Sequence, residues 1–338
     1  MLTIILALLI FGLLIVAHEG GHFLAAKWAG MKVEEFSVGL GPAIWQARRG
    51  ETLYSLRILP LGGYNRIAGM EEEDQDDPRG FNRQPLTKRM IVIAAGSAMN
   101  FLLAILIFIL VFMGFGIPQD LNVVGGVQPG MPAQQVGLRP GDKILEVDGH
   151  RVESWSQLVS LIRSRPEQRI TLLVDRGGDL RKIEVTTVRE PQTGAGLIGI
   201  TPPWARENLY NSIVLGLQQS LLMVKMIILS LLKMVRGKAG AEVVGPVGIV
   251  QMVGQAATGG LVNVLSFTAV LSLNLGLINL LPIPALDGSR LAFLFLEALR
   301  GRPLDPRKEN LIHLIGFILL LALLLLVTYK DIMRIFFS

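Results

Sequence analysis

Cysteine is absent from the 338 residues of this chain, and histidine occurs only four times. The lack of cysteine excludes disulfide bonds and thiolate zinc sites, so a metal ion would have to be held by His, Asp or Glu. Charged residues are scarce as well, at 17% against 51% hydrophobic residues. This composition excludes an ordinary soluble protein and predicts one that resides in the lipid bilayer. The net charge of +5 does not require nucleic acid as a partner, because Lys and Arg beside membrane spans account for it.

The chain begins with an apolar segment, residues 2–17, which is followed by the sequence His-Glu-Gly-Gly-His. On a helix, His18 and His22 lie four residues apart and project from one face, so both imidazoles could bind one zinc ion. Glu19 could hold a water molecule beside that metal. The alternative is a helix end at the membrane surface with two solvated histidines, and the short pattern alone does not decide between the two.

No positively charged side chain precedes this apolar segment, whereas Lys27 and Lys32 follow it. A secretory signal peptide has the reverse order of charges, so we expect residues 1–30 to be a retained first transmembrane helix. Because Lys and Arg favour the cytoplasmic side of a membrane, the N-terminus should lie outside and the two histidines near the cytoplasm.

Residues 31–89 are expected to form a cytoplasmic or membrane-associated β-layer and a loop. Between residues 33 and 67, short strand-like runs alternate with Gly-Pro and Arg-Gly-Glu turns, which predicts a small sheet lying against the membrane or dipping into it. Two interpretations stay open: an edge strand that captures an extended substrate, or an ordinary cytoplasmic hairpin layer. The acidic run at residues 71–77 is interpreted as a solvated loop.

Residues 90–117 form the predicted second transmembrane helix, and the cations that precede it direct it outward. Within it, the sequence Gly-Ser-Ala-Met-Asn (96–100) places small residues and one Asn in an otherwise apolar helix. Small residues permit close helix packing, and Asn100 needs a polar partner there. Both helix packing and a catalytic role are open for this side chain.

Residues 118–203 are polar, carry strand and turn signals, and are long enough for a small extracytoplasmic domain. The sequences at 129–133 (Pro-Gly-Met-Pro-Ala) and 137–149 (Gly-Leu-Arg-Pro-Gly-Asp through Val-Asp-Gly), followed by a helical segment at 156–162, resemble a PDZ domain of the bacterial membrane-protease type. The resemblance implies a groove that could bind an extended peptide or act as a steric gate. His150 lies in a predicted turn and is expected to be exposed.

Residues 204–260 are the ambiguous part of the chain. The segment 208–235 is apolar enough to span a membrane, yet it contains Gln and Lys residues that would be costly at mid-bilayer. A crossing here would also bring the later Asp287 to the outer face, away from the two histidines. We therefore expect an interfacial amphipathic helix on the outer surface, with a re-entrant segment as the alternative. The Gly-Pro-Val-Gly-Ile sequence (245–249) is expected to be a loop.

The third predicted transmembrane helix, residues 261–288, runs inward and ends in Asn-Leu-Leu-Pro-Ile-Pro-Ala-Leu-Asp-Gly. Two prolines break the helix there, which is tolerated where the freed backbone faces protein or a cavity. Asp287 thereby arrives near the cytoplasmic boundary, the depth expected for the histidines of the first span. A basic cytoplasmic loop (289–310) and a fourth transmembrane helix with a tail (311–338) follow.

These motifs, in this order along nearly the whole chain, closely resemble the bacterial site-2 protease family of intramembrane zinc metalloproteases, which is peptidase family M50-like. The resemblance implies a polytopic α-helical membrane protein with about four transmembrane helices. It also implies a membrane-associated β-sheet after the first span and one inserted PDZ-like α+β domain. Some members have two tandem PDZ domains, whereas this chain has room for one.

The resemblance also implies roles for individual residues. Three residues are implied to ligate Zn²⁺, namely His18, His22 and Asp287. Glu19 is implied to be the general base, and Asn279 to hold the substrate backbone near the scissile bond. Asn100 is a weaker candidate for substrate contact. Two rivals for the third ligand position are His313, at the start of the fourth span, and Glu297, on a short cytoplasmic helix; neither lies within a motif.

The implied activity is zinc-dependent hydrolysis of peptide bonds within or near the transmembrane segments of single-pass membrane proteins. Anti-sigma factors and leftover signal peptides are the implied substrate types, and the bacterial cytoplasmic (inner) membrane is the implied location. A catalytically inactive PDZ-bearing scaffold is the alternative, which the intact motif residues disfavour. An ion transporter is disfavoured by the small number of spans and the absence of an internal repeat.

Overall fold

The computed structural model describes residues 2–70, 77–191, 193–237, 244–303 and 305–337. Most of the acidic run predicted to be a loop, residues 71–76, therefore lies outside the described residues. The chain forms two compact units. One contains residues 1–111 and 212–338, and the other contains residues 112–211.

The helices follow the apolar segments of the sequence. In chain order they are α1 (Leu2–Trp28), α2 (Leu86–Gly114), α3 (Pro132–Gln135), α4 (Trp155–Arg163), α5 (Leu209–Val235), α6 (Pro246–Thr258), α7 (Leu261–Asn279), α8 (Asp287–Arg300) and α9 (Pro306–Phe337). The strands are β1 (Val33–Arg49), β2 (Thr52–Ile67), β3 (Ile117–Pro118), β4 (Gly126–Val127), β5 (Lys143–Val147), β6 (His150–Arg151), β7 (Arg169–Arg176), β8 (Asp179–Thr186), β9 (Val188–Arg189), β10 (Gly196–Leu197), β11 (Ile200–Thr201) and β12 (Trp204–Ala205).

Five of the described helices are long and apolar enough to cross a membrane: α1, α2, α5, α7 and α9. The prediction of a helical protein with several segments able to span a membrane, and with β-structure, is therefore confirmed, whereas the count of about four spans is not. The difference is α5, for which the sequence predicted an interfacial position. Its Gly216 lies against Ile105 and Ile109 of α2, so α5 contacts that helix at this position. The interfacial position of α5 stays a prediction.

Helices α1 and α2 pack in opposite directions at unusually short range. A Cβ atom on Gly21 of α1 would lie 2.3 Å from the carbonyl oxygen of Ala95 on α2. Only a residue without a side chain allows this approach, which explains why the second glycine of the His-Glu-Gly-Gly-His motif is needed for packing. The close contact brings α2 alongside the two histidines of α1.

The β-layer consists of the two long strands β1 and β2. Two separate stretches of β2 pair with the same stretch of β1. Residues 35–38 of β1 pair with residues 63–66 of β2 on one side and with residues 53–56 on the other. Residues 63–66 thereby form one side of the layer, and they lie against α1. A Cβ atom on Gly63 would be 2.8 Å from Glu19 Cγ, so this glycine lets the sheet approach the end of the apolar helix.

Residues 112–211 contain a four-stranded antiparallel sheet in the order β6-β5-β7-β8, with the helices α3 and α4 beside it. Alternate residues of β7 are buried, as expected for a strand with one face on a core. Asp142, only 1% exposed, accepts hydrogen bonds from both Nε and Nη2 of Arg176 at 2.7 Å. His150 is exposed on β6, in agreement with the sequence prediction.

The Gly-Pro-Val-Gly-Ile segment was expected to be a loop, and that prediction is wrong. Helix α6 begins at Pro246, where a missing backbone N–H costs nothing because the first turn has no acceptor for it. The buried Asp331 of α9 accepts a hydrogen bond from the backbone N–H of Gly248 at 2.7 Å. A carboxylate at a helix N-terminus stabilises the free backbone N–H groups there. Here the carboxylate belongs to Asp331, which lies 83 positions further along the chain than Gly248.

Candidate metal centre

Three side chains from two helices bring their ligand atoms together. Nε2 of His18 and Nε2 of His22 are 3.3 Å apart, as expected for residues one turn apart on α1. Oδ2 of Asp287 lies 3.0 Å from Nε2 of His18 and 3.1 Å from Nε2 of His22. The third transmembrane helix was predicted to extend to residue 288, but α7 ends at Asn279, and Asp287 is the first residue of the next helix, α8.

These distances fit one zinc ion. Tetrahedral zinc with bonds of about 2.0–2.2 Å to nitrogen and oxygen keeps its ligand atoms roughly 3.3 Å apart. The observed separations of 3.0–3.3 Å agree with that requirement. Two imidazoles and one carboxylate are a common donor set of catalytic zinc, and they leave a fourth position open.

The ring of His22 is oriented by α2. Its Nδ1 lies 2.8 Å from the backbone carbonyl oxygen of Val92, which can only accept, so Nδ1 carries the proton and Nε2 keeps its lone pair for a metal. Gly96, one turn further along α2, lies against the same ring: a Cβ atom there would be 2.2 Å from Nε2 of His22. The glycine therefore provides the space that the imidazole occupies.

The turn that carries Asp287 is held by α9. Ala285 has a φ of +72°, a left-handed conformation that costs a non-glycine residue roughly 1 kcal/mol. Its backbone N–H donates to Nδ1 of His313 at 3.2 Å, and Pro284 lies directly against Gly316 of α9. His313 is thus engaged with the backbone beside Asp287 and is not among the three clustered ligand atoms.

The second rival ligand is engaged as well. Glu297 of α8 accepts hydrogen bonds from both terminal nitrogens of Arg89 at the start of α2, one of them at 3.0 Å. Both side chains are largely buried, at 17% and 10% exposed. This ion pair joins α8, which begins with Asp287, to the helix that orients His22.

Glu19 is held by the β-layer. Nδ2 of Asn65 donates to Oε2 of Glu19 at 2.7 Å and to the backbone oxygen of the same residue at 2.8 Å. Asn65 lies on the stretch of β2 that packs against α1. A cavity of about 540 Å³ opens beside these groups, and its walls include the three clustered residues, Glu19 and residues 63–67 of β2.

The chain is similar along nearly its whole length to known zinc metalloproteases. The family model of peptidase family M50 matches residues 6–323. The zinc metalloprotease RasP of Geobacillus kaustophilus is 32% identical over 99% of this chain and 98% of its own length. The regulator of sigma-W protease RasP of Bacillus subtilis is 31% identical over 99% of both chains. This chain belongs to peptidase family M50.

Membership of family M50 confirms the predicted resemblance to site-2 proteases. It also confirms that the protein is a zinc metalloendopeptidase and that its cofactor is Zn²⁺. Among solved structures, a PDZ domain of an SdrC-like protein from Listeria monocytogenes is similar at 25% identity and a TM-score of 0.23. The matched region covers 25% of this chain and 90% of the Listeria domain. The individual residue roles are not tested by these similarities and stay predictions.

The two predicted substrate contacts of this M50 peptidase have different surroundings. Nδ2 of Asn279, at the end of α7, lies 3.4 Å from Nε2 of His18, and its side chain is half-buried beside the ligand cluster. Asn100 is fully buried in α2, with Nδ2 3.3 Å from Nδ1 of His18. Asn279 is therefore only partly buried beside the ligand cluster, whereas Asn100 is enclosed behind the imidazole of His18.

Sequence analysis missed Asn65. A usable signal was present, because Asn65 follows a Gly-Gly pair by two residues in a strand-like run, so it shares a face with Gly63, where close approach is allowed. A second polar group in this layer is Glu35. Its burial would raise its pKa, but hydrogen bonds from Ser55 and Arg57 outweigh burial and hold the pKa below its usual value.

Proposed function

We propose that this M50 peptidase hydrolyses peptide bonds within or next to the transmembrane segments of single-pass membrane proteins. The observation that carries the proposal is the position of the ligand cluster. Two of its members lie in α1, directly after an almost uninterrupted apolar run, and Asp287 follows the apolar α7. A site carried by membrane helices acts on substrates that reach it through the bilayer.

We propose that His18, His22 and Asp287 hold the zinc and that Glu19 is the general base. Bound zinc lowers the pKa of a water molecule towards about 7 and polarises a peptide carbonyl. Glu19 accepts a proton from the water and passes one to the leaving amine. The hydrogen bond from Asn65 holds Oε2 of Glu19, which leaves Oε1 as the oxygen that accepts the proton.

The substrate must be extended at the scissile bond, because the backbone carbonyls of an α-helix are already hydrogen-bonded within the helix and shielded by its side chains. We propose that residues 63–66 of β2 pair with the extended segment and that Asn279 holds its backbone near the site. The support is location: residues 63–67 form part of the cavity wall beside Glu19, and the amide of Asn279 is 3.4 Å from His18. Substrate spans weakened by Gly, Pro or polar residues would be cut preferentially.

The proposed substrate types are anti-sigma factors and leftover signal peptides, processed in regulated intramembrane proteolysis. The name of the Bacillus subtilis relative, regulator of sigma-W protease, supports the first type. The bacterial relatives support a location in the bacterial cytoplasmic membrane. The distribution of Lys and Arg supports an orientation with the metal site near the cytoplasmic side and residues 118–203 outside.

The PDZ-like domain carries a groove of about 190 Å³ between α4 and residues 196–200. We propose that this groove takes an extended peptide of the substrate, such as the end left by an earlier cut outside the membrane. A size filter that excludes bulky extracytoplasmic domains is the alternative for the same domain. A peptide titration against the full-length protein distinguishes the two, because a filter does not bind the peptide.

The proposed function is tested with purified wild-type protein and Glu19→Gln, each incubated with a model single-pass substrate while bound zinc is measured. We expect the variant to retain zinc and to lose cleavage, because Gln cannot accept a proton. Glu153→Gln, at an exposed carboxylate of the PDZ-like domain, is the matched control and should cleave normally. Equal cleavage by wild type and Glu19→Gln would remove Glu19 from the mechanism.

A further inference from the structure

We infer that Asn100 is a positioning residue of the metal site: its amide oxygen accepts a hydrogen bond from the Nδ1–H of His18 and fixes Nε2 as the metal-binding nitrogen. This inference rests on the proposed role of His18 as a zinc ligand. It replaces direct substrate contact as the function of Asn100.

The first support is the register between α1 and α2. Val92, Gly96 and Asn100 follow each other at intervals of four residues and therefore lie on one face of α2. That face meets His22 and His18, which are four residues apart on the antiparallel α1. The carbonyl of Val92 orients His22 and Gly96 makes room for its ring, so Asn100 occupies the equivalent position behind His18.

The second support is an unpaired atom. In the orientation present, Nδ2 of Asn100 faces Nδ1 of His18 at 3.3 Å, while Oδ1 of Asn100 is buried without a hydrogen-bond partner among the described residues. If Nε2 of His18 binds zinc, Nδ1 must carry the proton, and two donors would then face each other. Rotating the amide by 180° exchanges its oxygen and nitrogen and turns this contact into a hydrogen bond. One amide atom lacks a partner in either orientation, so the rotation adds no unpaired group.

The third support is that Asn100 has no access to substrate. The residue is 0% exposed, and its backbone oxygen accepts a hydrogen bond from Oγ of Ser272 on α7 at 2.7 Å. Gly276, one turn along α7, lies against its Cβ. Because it is enclosed between α1 and α7, the side chain can act on a reaction only through His18.

Partners of this kind hold the tautomer and ring plane of a metal-binding histidine, and their loss typically costs about 10–100-fold in metal affinity or activity. The test compares Asn100→Leu, which has a similar shape and no acceptor, with Asn100→Asp, which keeps an acceptor oxygen. Zinc affinity is measured by chelator competition on full-length protein in detergent, and the cobalt-loaded forms are compared by absorption spectroscopy. Ser97→Ala, a buried polar residue of the same helix, is the matched control.

We expect Asn100→Leu to bind zinc about 10–100-fold more weakly and to change the cobalt spectrum, with kcat reduced more than KM is raised. Asn100→Asp should keep zinc affinity within a few-fold of wild type, and Ser97→Ala should be unchanged. Circular dichroism identifies a variant that has lost its fold, and the Asp variant then carries the test.

Three results would overturn the inference. Unchanged zinc affinity with a raised KM in Asn100→Leu would indicate direct substrate contact. Unchanged zinc affinity with lower thermal stability would indicate packing alone. Equal loss of zinc in the Leu and Asp variants would exclude the acceptor role. A wild type that binds no zinc, or a Glu19→Gln variant that still cleaves, would instead refute the proposed function, so the two failures are distinguishable.

Discussion

Replacing Gly96 by Ala places a methyl group where the ring of His22 lies. The new Cβ would be 2.2 Å from Nε2 and 2.7 Å from Cε1 of that ring, whereas ordinary van der Waals contacts begin at 3.4 Å. The ring must therefore move by roughly 1 Å, while metal–ligand distances tolerate only about 0.2 Å. We expect the zinc affinity to fall by at least about 100-fold, and activity by a similar factor, because a 1 Å misplacement alone can cost about that much.

The fold itself should change less. Overpacking costs about 1–3 kcal/mol, and the higher helix propensity of Ala offsets about 1 kcal/mol of it. Gly114→Ala is the matched control on the same helix, because nothing lies within 4 Å of its Cβ position. Chelator competition and thermal unfolding in detergent are measured on both variants. Wild-type zinc affinity in Gly96→Ala would refute the reasoning and remove His22 from the metal site.

Three further predictions concern groups around the site and in the PDZ-like domain. Asn65→Leu removes the hydrogen-bond donor to Glu19, so kcat should fall about 10-fold while zinc affinity and KM stay unchanged. An unchanged kcat would show that Asn65 does not position Glu19 for the reaction. Arg89→Met leaves Glu297 buried without its partner and should lower the free energy of unfolding by about 3–5 kcal/mol, measured by thermal unfolding. The double variant, in which Arg89 and Glu297 are both replaced by Met, should recover most of this loss. Burial opposes ionisation of Asp142, but hydrogen bonds from arginine hold its pKa below the usual value. The ionised carboxylate of Asp142 therefore stabilises the fold above about pH 4, and this contribution is lost as the pH falls further. Hydrogen exchange of residues 126–201 should show the loss in wild type and not in Asp142→Asn.

The sequence was informative where local patterns act alone. Apolar runs predicted helices at positions where the structure has them, because a long apolar segment in lipid must satisfy its backbone internally. Charge positions predicted that Asp287 reaches the depth of His18 and His22, and the three side chains meet in the structure. The loop prediction for residues 245–249 was wrong, because it relied on Gly and Pro being typical of loops. The carboxylate of Asp331 stabilises a helix there.

Membership of the chain in a zinc metallopeptidase family is determined by the sequence itself, because the ligand types, their spacing and the order of the apolar segments are all local or additive features. The tertiary structure decided which polar groups support the ligands. Val92 and Asn100 meet the two histidines only through the register of α1 on α2, and Asn65 reaches Glu19 only because Gly63 lets a sheet touch a helix. Contacts between side chains distant in the chain depend on packing at ångström precision, and no periodicity within a single segment encodes that distance.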